Sequence, residues 1–175
     1  MKKIQLIKTS LVALGLLSGS VIAATQGTLG ATSTGDLTIT LDIANLVRVS
    51  NLNDINLGTF AGGGGGLAGT DTFCVYRNGA GNYNINMTGD GTANAFTLAN
   101  GANTVPYTVD FVNGATTTAM NTGTGLAGQT GANTVSDTCA GVDNVSVNIS
   151  VSNADLSSSP AGTYSGVLTM VVAPE

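Results

Sequence analysis

The sequence predicts an all-β sandwich, and three observations support this. Short runs in which apolar and polar residues alternate recur along the chain, and Gly, Asn, Asp and Ser fill the gaps between them. No stretch of useful length has the apolar spacing of an amphipathic helix. Alternation with a period of two puts the apolar side chains of each strand on one face, and those faces must be buried against one another. Many short strands separated by turns therefore favour two packed sheets.

The first residues fit a secretory signal peptide, residues 1–23. Three lysines precede the apolar run Leu11–Leu17, and Val21 and Ala23 supply a small-residue cleavage pattern. This run is too short for a membrane span, which requires about 18 apolar residues. We expect the mature chain to begin near Ala24 and to be exported.

The composition of the remaining chain excludes several classes of partner. The 152 residues that follow Ala23 suit one domain. They carry two cations, Arg48 and Arg77, against ten acidic residues, a net charge of −8. Nucleic acids and anionic membrane surfaces select basic patches, so neither is an expected partner.

The mature chain begins with a leader and an alternating strand. Thr25–Gly35 is small and polar, which predicts a flexible leader. The next segment, D-L-T-I-T-L-D-I at Asp36–Ile43, has a strict period of two. Its apolar face consists of Leu37, Ile39, Leu41 and Ile43. Such a strand can fold into its own core or be lent to a neighbouring copy.

Two further strand pieces, Leu46–Ser50 and Ile55–Phe60, are separated by the turn-forming sequence N-L-N-D. Five consecutive glycines follow at Gly62–Gly66 and predict a mobile loop. A phosphate-binding loop would need Lys and then Ser or Thr after the glycines, whereas Leu67 follows here.

The middle of the chain carries more strand signals. We expect strands at Thr72–Arg77, Asn82–Thr88, Ala95–Ala99 and Val105–Val112. The stretch 113–137 is mostly Thr, Gly, Asn and Ala, which predicts a long surface loop with one weak strand near residues 116–120.

The last part of the chain predicts two strands separated by a turn. Val145–Val151 alternates strictly, and the turn S-S-S-P-A-G lies at Ser157–Gly162. The final run, Thr163–Val172, is apolar on both faces in its second half, which is typical of a strand covered on both sides.

The residue types that carry catalysis are missing from the mature chain. It has no His and no Lys, and no pair of acidic residues in an apolar setting that would act as general acid and base. The T-G-D-G sequence at Thr88–Gly91 lacks the ligand register of a calcium loop and predicts a turn. We therefore expect no enzymatic activity, cofactor or metal.

Two cysteines, Cys74 and Cys139, allow one intramolecular pairing. Export would place them in an oxidising compartment, which favours a disulfide over two free thiols. A redox or metal role is the competing interpretation, but the chain has no C-x-x-C motif and no histidine.

Five stretches that span most of the mature chain form an ordered set. They are I-N-L-G-T-F at Ile55–Phe60, F-C-V at Phe73–Val75, N-Y-N-I-N-M-T-G-D-G at Asn82–Gly91, V-P-Y-T-V-D-F at Val105–Phe111 and P-A-G-T-Y-S-G-V-L-T-M-V-V at Pro160–Val172. Together with the N-terminal alternation, they resemble bacterial pilins assembled by a periplasmic chaperone and an outer-membrane usher. The resemblance is closest to the archaic branch that includes spore-coat-U-like proteins.

This resemblance implies an incomplete immunoglobulin-like β-sandwich that lacks its last strand and is completed by a donor strand. In that family a strand of the chaperone fills the open groove first. In the fibre, the N-terminal strand of the next subunit replaces the chaperone's strand. Residues 24–44 would be the leader and donor strand, and residues 45–175 the pilin domain. The implied donor side chains are Leu37, Ile39, Leu41 and Ile43.

The final strand would form one wall of the groove and would be the chaperone's main contact. Leu168, Met170 and Val172 share one of its faces, and Glu175 resembles the terminal anchor that basic residues of the chaperone hold. Many relatives have a cysteine on the first body strand, whereas Leu46–Ser50 has none, so Cys74 pairs with Cys139 or stays free.

The implied function is that of a structural subunit of a cell-surface fimbria, exported through the periplasm and serving adhesion or biofilm formation. Its partners would be identical or related pilin subunits, the chaperone and the usher. The alternative is a self-complete secreted β-sandwich that binds carbohydrate or matrix through its loops.

Overall fold

A computed structural model describes residues 23–175 of the chain. Residues 1–22 of the predicted signal peptide lie outside the described residues. The chain divides into two units, Met1–Ile43 and Ala44–Glu175, and each is described by itself. No helix among residues 23–175 has the length and apolar character needed to cross a membrane.

The described part of the first unit contains a closed loop. Thr25 and Asp36 form an antiparallel bridge, in which each backbone N–H donates to the other carbonyl at 2.9 and 3.0 Å. At Gly35 a Cβ atom would lie 2.9 Å from the carbonyl oxygen of Thr25, so glycine permits this close approach. The leader, expected to be flexible, is thus hydrogen-bonded at its two ends.

The second unit contains ten strands and one short α-helix. The strands are β1 Val47–Ser50, β2 Leu67–Arg77, β3 Tyr83–Gly89, β4 Thr97–Asn100, β5 Asn103–Pro106, β6 Thr108–Asn113, β7 Thr116–Ala119, β8 Leu126–Gln129, β9 Val145–Val151 and β10 Leu168–Pro174. The helix α1 is Asn153–Ser158, between β9 and β10.

The strands form two main antiparallel sheets and a hairpin. One sheet has the order β1-β2-β9-β6-β7, the other has the order β10-β3-β8, and β4 pairs with β5. Strands of both main sheets contribute to a single apolar core, which includes Phe73, Val147 and Phe111 from the first and Ile85 and Met87 from the second. The predicted all-β sandwich is confirmed.

A disulfide joins Cys74 of β2 to Cys139, with their Cα atoms 5.7 Å apart. Both cysteines are buried. The bridge holds the segment that precedes β9 against the outer face of β2. The predicted pairing is therefore confirmed.

The strand expected at Ile55–Phe60 is absent, and β2 begins at Leu67 rather than at Thr72. The first half of β2 pairs with β9. Ile55 and Leu57 instead pack their side chains over Gly69, where a Cβ atom would lie only 2.5 Å from Ile55 Cγ2. The apolar alternation at 55–57 thus reflects side-chain packing without a strand ladder.

The run Val105–Val112, expected to be one strand, is divided between two sheets. Tyr107 separates β5, which pairs with β4, from β6, which pairs with β9. The Tyr107 backbone N–H donates to the carbonyl of Phe96 at 3.0 Å, and the two rings stack with centroids 5.6 Å apart. The continuous alternation remains because both strands turn the same face to the core.

The stretch 113–137 was expected to be mostly loop, but it contains two strands. The first, β7, matches the predicted weak strand and pairs with β6. The second, β8, pairs with β3 and packs Leu126 against the core. One apolar side chain among Gly, Ala and Gln gives too little alternation for this strand to be predicted.

The short helix α1 begins just before the predicted turn. Ser152 is its N-cap, and the Ser152 hydroxyl accepts a hydrogen bond from the Asp155 N–H at 3.1 Å. The turn prediction at Ser157–Gly162 missed this helix. The helix has six residues, which is too short to show a helical apolar period.

Candidate functional site

The two main sheets each end in a strand that has one partner, and these two edge strands lie near each other. β1 pairs with β2, and β10 pairs with β3. The two strands approach one another across the sandwich. β1 begins at Val47, opposite Arg77 at the end of β2. β10 ends at Pro174, opposite Tyr83 at the start of the next strand, β3. The start of β1 and the end of β10 therefore lie at the same end of the sandwich, and the two strands run in opposite directions.

The inward face of β10 is only partly covered. Leu168, Met170 and Val172 pack against the core and are half-buried. On the other face, Val171 is 59% exposed, so the expectation of a strand covered on both sides is wrong. The reason is that Val171 points away from the core, on the outer face of its sheet, whereas Leu168, Met170 and Val172 point inward. β10 is also an edge strand, with β3 alone beside it in its sheet. An edge strand presents unpaired backbone N–H and C=O groups that can pair with another strand.

The segment 37–43 of the first unit is assigned to no strand. Its four alternating apolar side chains are 71–86% exposed. They are Leu37, Ile39, Leu41 and Ile43. A row of large aliphatic side chains exposed in this way is typical of an interaction surface. Their role as a donor strand stays a prediction.

Two hydrogen bonds hold the backbone at the start of the second unit. The Asn78 side chain accepts a hydrogen bond from the Leu46 N–H at 2.6 Å and donates one to the Ala44 carbonyl at 2.7 Å. Asn78 follows directly after β2. The backbone just before β1 is thereby attached to the end of β2.

Glu175, the expected chaperone anchor, is held within the second unit at three points. Its N–H donates to the Asn82 carbonyl at 3.0 Å, and its side-chain Oε2 accepts from the Gly128 N–H at 2.9 Å. Its carbonyl oxygen accepts from Arg77 Nη2 at 2.9 Å. These contacts attach the end of β10 to three neighbouring segments.

Arg77 is a residue that sequence reasoning missed. It is 4% exposed and lies on the inward face of β2 with Phe73 and Val75. Its Nε and Nη1 atoms are buried and have no hydrogen-bond partner. The signal in the sequence was a cation at an inward position of an alternating strand, because such a position normally takes an apolar residue.

The described residues 23–175 were also compared with the usual requirements of a metal site. Those residues contain no group of three His, Cys, Asp or Glu side chains placed to hold a metal ion. A cavity of about 410 Å³ lies at the start of β2 and the end of β9 and is lined in part by Leu67, Tyr107 and Asp155. There the Asp155 carboxylate accepts a hydrogen bond from the Ser152 hydroxyl at 2.5 Å.

No protein-family model matches this sequence, and no curated protein matches it. Among solved structures, the chain is similar to one reported as a chaperone–tip adhesin complex that is vital for synergistic activation of CFA/I fimbriae biogenesis. The TM-score is 0.52 and 16% of the residues are identical, over 75% of this chain. The match covers 42% of the other chain, so this protein spans less than half the length of that neighbour. The likeness shows the fold, an immunoglobulin-like β-sandwich.

Proposed function

We propose that this chain is a structural subunit of a cell-surface fimbria of the chaperone–usher type, in the archaic, spore-coat-U-like branch, and that it polymerises by donor-strand exchange. One observation carries the proposal. The chain has a sandwich with a half-covered apolar strand at its edge, and it also has an exposed alternating apolar segment that no strand of its own includes. A strand edge and an unpaired strand sequence on one chain suit addition between copies.

The apolar contacts of such an exchange are large enough to drive assembly. Fully burying one large aliphatic side chain contributes roughly 1.5–3 kcal/mol. The four side chains of segment 37–43 would together contribute on the order of 6–12 kcal/mol before the cost of ordering the segment. Backbone hydrogen bonds to the free edge of β10 add to this.

The route and the partners are part of the same proposal. Residues 1–23 act as a signal peptide, residues 24–44 as leader and donor strand, and residues 45–175 as the pilin domain. A half-open sandwich needs protection before assembly, so a periplasmic chaperone occupies the edge of β10 until an outer-membrane usher brings subunits together. The fibre then serves adhesion or biofilm formation. The similarity in fold to a fimbrial complex supports this proposal.

Removal of residues 24–44 tests the proposal. The shortened chain should not form fibres by electron microscopy, but it should bind an added peptide of residues 36–44. Removal of residues 26–34 alone is the matched control, since it shortens the leader but keeps the alternating segment, and it should still allow fibres. A full-length chain that stays monomeric and binds glycans with no fibres would instead favour the secreted binding module.

A further inference from the structure

The end of segment 37–43 is directly joined to the start of the second unit. Ile43 is the last apolar residue of the segment, and Ala44 is the first residue of the second unit. Their Cα atoms are about 3.8 Å apart, as across any trans peptide bond. When Ile43 is buried in the groove of a second copy, Ala44 must therefore lie at the end of that groove. This inference rests on the proposed function.

Three hydrogen bonds attach the backbone at Ala44 and Leu46 to the sandwich of their own copy. Asn78 Nδ2 donates to the Ala44 carbonyl oxygen at 2.7 Å, and the Leu46 N–H donates to Asn78 Oδ1 at 2.6 Å. The Asn78 N–H also donates to the Leu46 carbonyl oxygen at 3.1 Å. We call this set of hydrogen bonds the Asn78 clamp. Its bond to Ala44 depends on the Asn78 side chain.

The Asn78 clamp is attached to a well-supported part of the sandwich. Asn78 follows Arg77, the last residue of β2, which is 4% exposed. The Arg77 N–H donates to the Asn133 carbonyl oxygen at 2.9 Å, and Arg77 also pairs with Val47 of β1. The end of β2 is thus held on both sides. A side chain placed there moves with the sandwich as a whole.

Burial does little to hold the backbone that the Asn78 clamp binds. Ala44 and Asn45 are exposed, and Leu46 is 58% exposed. The restraint on these residues therefore comes chiefly from the hydrogen bonds. Without the Asn78 side chain, Ala44 and Asn45 would be free, whereas the Leu46 carbonyl would keep its bond from the Asn78 N–H. Two free residues span up to roughly 7 Å.

We propose that Asn78 is a positioning residue of the fibre, because it leaves no free residue between a bound donor strand and the sandwich that donates it. The end of the sandwich that carries Ala44 and Asn78 then directly contacts the next copy. Free residues between two domains let them rotate independently, whereas a junction without them couples the two. Successive copies are thereby held at one angle, and the fibre is stiff.

The direction of the donor strand does not affect this conclusion. Ile43 is the residue of the segment nearest its own sandwich, whether the donor runs parallel or antiparallel to β10. In both cases the chain leaves the groove at Ile43 and is bound by its own sandwich at Ala44. The direction decides only which end of the second copy is contacted.

Fibre stiffness tests the Asn78 clamp in the full-length chain, with the persistence length measured from electron micrographs. Asn78→Ala removes both side-chain hydrogen bonds. Its fibres should have a persistence length at least about twofold shorter, because Ala44 and Asn45 become a flexible joint. Asn45→Ala is the matched control, since it makes the same substitution in the same junction at an exposed residue outside the clamp. Its fibres should keep the unmodified persistence length.

A second variant keeps Asn78 and lengthens the junction instead. Insertion of Gly-Ser between Ile43 and Ala44 adds as many free residues as Asn78→Ala would release. It leaves residues 44–175 unchanged, so the sandwich should fold as before, which circular dichroism checks. Fibres of this variant should be as flexible as those of Asn78→Ala.

The outcomes separate this inference from the proposed function. Unmodified stiffness in Asn78→Ala or in the Gly-Ser insertion would overturn the role of Asn78 and leave donor-strand exchange intact. Equal losses of stiffness in Asn78→Ala and Asn45→Ala would do the same, because the effect would not depend on the clamp. If Asn78→Ala does not fold, the insertion decides. Failure of the unmodified chain to form fibres would overturn the proposed function and this inference with it.

Discussion

Asn144 supports β2 at the point where its ladder with β9 ends. The ladder stops at the pair Phe73 and Val145. Beyond it, the Asn144 side chain accepts from the Val75 N–H and donates to the Val75 carbonyl, both at 2.9 Å, and it also donates to the Gly131 carbonyl at 2.9 Å. A side-chain amide thus takes the place of a backbone partner for a fully buried residue.

We predict that Asn144→Ala lowers the free energy of unfolding by about 2–3 kcal/mol, because it leaves the buried Val75 N–H without an acceptor. Urea denaturation of the two proteins measures this difference. Asn148→Ala is the control, since Asn148 accepts one exposed hydrogen bond from Thr70. Its change should stay below about 1 kcal/mol. Equal effects of the two substitutions would contradict the role given to Asn144.

Tyr83 carries a polar group into the core. The residue is fully buried and its hydroxyl has no partner. Burial raises the pKa of Tyr83 to about 12, because it disfavours the charged phenolate. The folded protein therefore retains this proton at a pH where the unfolded chain, with a pKa near 10, loses it.

The free energy of unfolding should fall as pH rises from about 10 to about 12. In that range the folded state binds more protons than the unfolded state, so the contribution of Tyr83 is complete below pH 10 and is lost above it. Tyr83→Phe should reduce this slope, by up to about 1.4 kcal/mol per pH unit. Chemical denaturation across the pH range measures it.

Part of the alkaline fall in the free energy of unfolding should remain in Tyr83→Phe. Burial, and secondarily the nearby charge of Asp90, also raise the pKa of Tyr107. Tyr107→Phe should therefore remove a further share. An alkaline slope unchanged by Tyr83→Phe would contradict the assignment to this hydroxyl.

In the proposed function, assembly depends on two elements of the chain. One is β10, whose inward face is half-covered, and the other is segment 37–43, which is exposed. Segment 37–43 presents apolar side chains on one face and Thr38, Thr40 and Asp42 on the other. The two faces therefore predict opposite effects of the same substitution.

Leu41→Asp should abolish fibre growth, because it places a charge where an apolar side chain would be buried. Thr40→Asp, one residue away on the outward face, should leave fibres intact. Both positions are exposed in the described structure, so neither change should affect folding of the chain, which circular dichroism checks. Electron microscopy of the two variants measures the outcome. Normal fibres from Leu41→Asp would show that the apolar face is assigned incorrectly.

At the scale of the whole sandwich, one disulfide joins two distant parts of the chain. Cys74 and Cys139 are separated by 65 residues, and the bridge anchors the segment that leads into β9, at the centre of the larger sheet. Closing a loop of this length restricts the unfolded chain more than the folded one.

Replacing both cysteines, as Cys74→Ala with Cys139→Ala, should lower the free energy of unfolding by about 4 kcal/mol, chiefly through the entropy of the unfolded chain. Denaturant unfolding of the two proteins measures this loss. The unmodified protein under reducing denaturant should lose a similar amount. An unchanged midpoint would mean that the bridge contributes little beyond the packing of β2.

The sequence predicted strands well where alternation was strict and buried. Tyr83, Ile85 and Met87 in β3, and the apolar positions of β9, are buried as expected. The prediction failed where the apolar alternation of a segment did not match its strand pairing. Ile55 and Leu57 alternate without joining a ladder, and β8 pairs with β3 although Leu126 is its one large apolar residue.

The candidate site was likewise predicted only in part. The apolar positions of segment 37–43 and of β10 were visible as alternation, because the period of a strand is a local property. The exposure of Val171 was not, since it depends on whether another layer covers the outer face of its sheet. Arg77 could be noticed only as a cation among inward residues.

By itself, the sequence determined the class of fold and the positions of the most regular strands, because each follows from residue type and short-range spacing. It favoured a disulfide between the two cysteines, and the structure places them in contact. Tertiary structure alone decided which strands lie at the sheet edges, that Ala44 and Leu46 are held by Asn78, and that Arg77 meets the end of β10. The physical reason is that edges and buried charges arise from pairing between distant residues, which no local period encodes.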